Sequence, residues 1–124
     1  MLSVDVVRQT VIVAEVGQNV KLIKNTTNSA ATDSLHRPVD AQVDTFVSVK
    51  GRLEDTYRDR FVVCTNDQLK YSLTINAVQL NDAGKLSFLE RCSNEPTITS
   101  SELIVLGRLT IFSYFHKNLH EISQ

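Results

Sequence analysis

The stretch FVSVKGRLEDTYRDRFVVCT, Phe46 to Thr65, decides how the rest of the chain is read. It divides into two apolar-alternating segments around a charged centre. Val47, Val49, Gly51 and Leu53 alternate with Phe46, Ser48, Lys50 and Arg52, the period-2 pattern of a strand with one buried face. Gly51 falls on the apolar side, where a missing side chain signals a bulge, a bend or a close backbone approach. A second segment, LIVLGRLTIF from Leu103 to Phe112, repeats the arrangement, with Leu103, Val105, Gly107, Leu109 and Ile111 sharing a face. Two long strands bent at glycine in a short chain predict a strongly curved sheet, most simply a closed barrel.

The surrounding composition fits that reading. A chain of 124 residues is expected to form one domain, 1–124, large enough to bury a core. Hydrophobic residues make up 42%, which excludes a disordered chain. The formal net charge of −1 gives no global basic field of the kind that announces nucleic-acid binding, so such a role needs a local basic face. Cys64 and Cys92 are too few for a disulfide framework. They read as two reduced thiols in a cytosolic or nuclear protein, a single bridge in a secreted one being the alternative. No apolar run approaches the ~20 residues of a bilayer span, so no membrane role is expected. The opening residues lack the basic-then-apolar pattern of a signal peptide. Asn25-Thr26-Thr27 matches a glycosylation acceptor and is read as loop.

Along the chain, residues 1 to 9 read as an extended lead-in. Val11 to Val16 fits either a helical turn capped by Thr10 or a strand, with Gly17 left-handed at its end. Asn19 to Ile23 alternates as a strand. Lys24 to His36 is rich in Asn, Thr, Ser and Ala without periodicity and reads as a long mobile loop. Residues 1–45 are therefore expected to be a cover and loop, and 46–124 the barrel. Phe61, Val63 and Thr65 form one alternating face, and Tyr71, Leu73 and Ile75 the next. Asn81 is placed to cap a helix through Cys92, with Ala83, Leu86, Leu89 and Cys92 at three-residue spacing, although Gly84 weakens it. Ser93 to Ser101 reads as a loop, and Leu119 to Ile122 as a final short strand. The expected class is mainly β: a five-stranded OB-fold barrel with a helix between strands 3 and 4.

Two family resemblances bear on function. Val6 to Val13, Asp40 to Leu53, Arg60 to Asp67 and Leu103 to Phe112 resemble the OB domain of the middle subunit of replication protein A and its telomere-capping relatives, including that of the CST complex. That resemblance implies a nuclear, non-catalytic subunit of a DNA-maintenance or telomere-capping complex, paired with another subunit in a hetero-oligomer and contributing to single-stranded DNA binding. The chain departs from the family at Ile75 to Ala77, where an aromatic is usual. The alternative resemblance is to the immunoglobulin variable domain. Tyr71 to Ile75, Val78-Gln79, Asp82-Ala83-Gly84 and Glu15 to Leu22 are similar to that family in wording and spacing. Aligned so, Lys24 and Phe88 occupy the positions of its paired cysteines, Leu86 that of its corner tyrosine, and no tryptophan is present. The implied function is a recognition domain lacking the usual disulfide.

Single-strand binding needs a basic groove and aromatic faces for stacking. The candidates for nucleic-acid contact are Lys50, Arg52, Tyr57, Arg58, Arg60, Lys70, Arg108, Phe112, Tyr114 and Lys117. Ile104, Leu106 and Phe115 are candidates for partner binding, as an apolar patch on the outer side of a strand. His36, His116 and His120 have no metal spacing with the cysteines. Phosphate-binding loops and a nucleophile elbow are absent from the sequence. No cofactor, metal or catalytic role is expected.

Overall fold

Tyr71, Leu73 and Ile75 alternate with Ser72 and Thr74 as the sequence pattern requires, and all three are fully buried at the centre of the protein. The computed structural model describes residues 10–91 and 95–107. Nine strands run through them: β1 (Thr10–Glu15), β2 (Val20–Asn25), β3 (Thr32–Pro38), β4 (Thr45–Val49), β5 (Arg52–Leu53), β6 (Phe61–Asp67), β7 (Lys70–Ile75), β8 (Gly84–Glu90) and β9 (Thr97–Leu106). The chain is mainly β, as expected, with 3-10 turns at Ser29–Ala31, Asp55–Tyr57 and Leu80–Asp82.

The strands form two sheets, one of six in the order β1-β9-β8-β3-β4-β5 and one of three in the order β2-β7-β6. One core joins them. Ala14, Val47, Leu86, Phe88 and Leu103 from the larger sheet meet Val20, Leu22, Phe61, Tyr71, Leu73 and Ile75 from the smaller. Neighbouring strands are antiparallel except β1, which runs parallel to β9. Among the described residues the sheets stay separate and do not close into one barrel.

Four expectations change. The apolar stretch from Phe46 to Leu53 is a hairpin and not one bent strand. Lys50 and Gly51 both have positive φ, 51° and 78°, the requirement of a two-residue primed turn joining Val49 to its partner Arg52. Val47 is the extra residue of a bulge opposite Ser34 and Leu35, so Val47 and Ser48 are both buried and the alternation changes side. With no long bent strand there, this segment imposes no barrel curvature.

The helix expected at Asn81 to Cys92 is replaced, over its described part, by one 3-10 turn and the strand β8. Asp82 closes the turn by accepting from the backbone of Gln79. Gly84 then takes φ of 137°, outside helical space. A Cβ there would stand 2.1 Å from the Arg37 carbonyl oxygen, so the glycine is what lets β8 begin against β3. Leu86 and Phe88 face the core at strand spacing. The supposed loop from Lys24 to His36 contains the end of β2 and β3 as far as His36, part of a central strand. In the stretch from Ser93 to Ser101, expected as loop, β9 already starts at Thr97. Arg108, Phe112, Tyr114, Phe115 and Lys117, and the short strand at Leu119 to Ile122, lie outside the described residues.

Candidate recognition surfaces

The polar character of β3 hides it in the sequence and arranges both ends of the molecule. Thr32, Asp33, Ser34 and His36 are all buried. Buried polar groups persist mostly with partners, and each of these side chains has at least one, while the buried Nδ1 of His36 has none among the described residues. Ser34 and Ser48 bond to each other at 2.7 Å across the β3–β4 pair, and the Tyr71 hydroxyl reaches both from the opposite sheet. Burial holds the Tyr71 phenol above its ordinary value.

Asp33, fully buried, organises the end that carries the β4–β5 turn. One carboxylate oxygen accepts from the Lys50 backbone N–H at 2.7 Å, the other from Arg91 Nε at 2.6 Å. The Arg91 N–H donates to Ala31, and Glu90 accepts from both the N–H and hydroxyl of Thr27. Three connections are thereby fixed to one another.

The opposite end is held by Asp82. Its carboxylate takes two hydrogen bonds from Arg60, at 2.5 and 2.8 Å. That pairing keeps the guanidinium above its usual range. His36 Nε2 lies 2.9 Å from the Asp82 carbonyl oxygen. A carbonyl only accepts, so Nε2 carries the proton. Tyr57 packs edge-on against His36 and Phe61, and burial, with the Asp82 charge second, raises its phenol. Arg60, Asp82, His36 and Tyr57 line a cleft of about 370 Å³ at this end.

The expected nucleic-acid residues do not converge. Lys50 and Arg52 are exposed at the β4–β5 turn. Lys70 opens β7 in the other sheet. Tyr57, Arg58 and Arg60 lie at the far end, where Arg58 pairs with Asp55 at 3.2 Å and Arg60 is committed to Asp82. The expected partner residues fare differently. Residues paired in register share a face of the sheet, so Ile104 lies beside Val13 on the outer side of the six-stranded sheet. Leu106 follows two residues on and is half-buried. Val11 and Val13 are each 58% exposed and Ile104 is 40% exposed. By register, Ile98 and Phe46 lie on the same outer face, separated from this row by Glu102, Lys85, Ser87 and Ser100. Val11 and Val13 do not stand out in the sequence because Val11 to Val16 fits a helical turn as well as a strand. Their alternation with Ile12 and Ala14 was the available signal.

Among the described residues, no group of three or more metal-ligating side chains gathers, and no helix is long and apolar enough to cross a membrane. No protein-family model matches the chain, and no curated protein matches it in sequence.

Proposed function

We propose that this domain is a non-catalytic recognition module of immunoglobulin variable type, which binds a protein partner through the outer face of its six-stranded sheet along β1 and β9. The observation that carries the function is the exposed apolar row Val11, Val13 and Ile104, set on a rigid sheet rather than a loop. The fold reading is supported by the strand order. Variable domains place two extra strands beside a three-stranded group in one sheet, opposite a sheet containing the second, fifth and fourth conserved strands. Here β9-β8-β3-β4-β5 and β2-β7-β6 follow that order, with β1 running along β9. The bond that a corner tyrosine makes to the backbone upstream is made here by His36, the register neighbour of Leu86.

The OB-fold alternative, with its single-strand groove, calls for a closed barrel and a gathered set of cations. The dispersal of Lys50, Lys70 and Arg60 over separate elements favours protein recognition instead.

The test is affinity capture with Ile104→Asp combined with Val13→Asp, on a chain whose unfolding midpoint is unchanged. A partner retained by the wild type and lost, by about tenfold or more in affinity, with the double variant is the expected result. Equal capture by both would remove this face from the proposal.

A further inference from the structure

We propose that the side of the sandwich between β2 and the β1–β9 pair is a binding site for a small amphipathic carboxylate, with Lys24 as its charge partner. Lys24 pairs in register with Tyr71, a fully buried residue, so the lysine is on the core-facing side of β2. Val20 and Leu22 precede it on that side and are buried. Lys24 is only half-buried, and the four ion pairs among the described residues all lie elsewhere. A lysine stem on the inner side of a strand can carry its ammonium into a cleft that opens there.

Lys24 lines a cleft of about 270 Å³ whose apolar floor includes Ile12 and Phe88. Thr10, Thr99 and Ser101 complete it. Register places these hydroxyl residues on the inner face too: Thr99 opposite Phe88, and Ser101 opposite both Leu86 and Thr10. Three hydroxyls and one ammonium around an apolar floor form a polar wall that no described side chain uses as an ion partner. Lys21 also borders the cleft but pairs with Thr74 on the outer side, so a single cation faces inward. One inward cation matches one negative charge, with hydroxyl donors for the second carboxylate oxygen. The volume lies below the range usual for drug-sized ligands, which limits the apolar part to a short chain or one ring. Phe88, at 5.4 Å edge-on to Tyr71, forms the inner limit of that space. The site is on the inner side of the sheet and the partner face on its outer side, so either reading can fail without the other.

The probe is hexanoate, titrated into the 15N-labelled full chain at constant ionic strength and followed by amide chemical shifts. Acetate and 1-hexanol are the comparisons. The expected result is saturable shifts around Lys24, Phe88 and Thr99, at least about tenfold weaker with 1-hexanol, which lacks the charge. Each methylene added beyond acetate should tighten binding about fourfold until the cleft is filled. Lys24→Met, which keeps the stem, should lose hexanoate binding by about tenfold, and Lys24→Arg should retain it. If Lys24→Met does not fold, Thr99→Val with Ser101→Ala takes its place. No saturable shift with hexanoate, equal affinity for 1-hexanol, or unchanged binding by Lys24→Met would each overturn the proposal.

Discussion

Tyr71 shows how one hydroxyl joins two sheets. Its ring is fully buried among Leu73, Ile75 and Phe88, and its oxygen completes a triangle with Ser34 and Ser48. Removing it with Tyr71→Phe leaves the two serines bonded to each other, so the cost at neutral pH is about 1–2 kcal/mol. The pH dependence has a definite sign. Burial raises the native phenol above its ordinary 10.0, so above that pH the unfolded chain loses its proton while the native one keeps it. Stability contributed by the neutral buried phenol is thus present below pH 10 and falls as pH rises beyond it. Urea unfolding should show the wild type losing stability above pH 10 faster than Tyr71→Phe does, closing the gap between them. A gap independent of pH would place the hydroxyl in a polar, ionisable environment instead. The burial of Tyr71 was legible from its alternation with Leu73 and Ile75. Its partners were not, because Ser34 lay in a stretch without apolar period. Asp33 was hidden for the same reason, since a buried carboxylate held by Arg91 and a backbone N–H leaves no pattern in a sequence.

The segment from Asn81 to Glu90 shows how one string of residues satisfies two periods. Leu86 and Leu89 fit a helix, whereas Leu86 and Phe88 fit a strand, and Gly84 decides between them. At φ of 137° and with the Arg37 carbonyl where a Cβ would be, Gly84 admits no side chain. Gly84→Ala should cost about 3 kcal/mol or more, as strain plus a broken β3–β8 start, read as a lowered midpoint in thermal unfolding. Near-wild-type stability would mean that β8 begins later than Gly84. The β4–β5 hairpin carries the matching lesson. Lys-Gly was visible as a break in the pattern, but the sequence offers the same letters to a bent strand and to a primed turn. The turn wins here because Asp33 captures the Lys50 N–H and fixes it. Polar β3 was the element least open to reading. Its burial is sustained by hydrogen bonds to Tyr71, Asp82 and Lys50 rather than by apolar contact.

Two sheets sharing one core gave a mainly β architecture that was readable from alternation alone, while the pairing of strands was not. Strand order depends on contacts such as Gly84 on β3, and on β1 joining β9 rather than β2. That order sets both proposed surfaces, since it turns Val13 and Ile104 outward together and leaves Lys24 facing the interior beside Tyr71. The most direct test is therefore a backbone NMR assignment with interstrand nuclear Overhauser effects. The two-sheet account predicts extended chemical shifts from Gly84 to Glu90 and parallel contacts between β1 and β9, centred on Ile12 with Leu103. Helical shifts running from Asn81 toward Cys92, with no contact between β1 and β9, would contradict it and return the chain to the barrel.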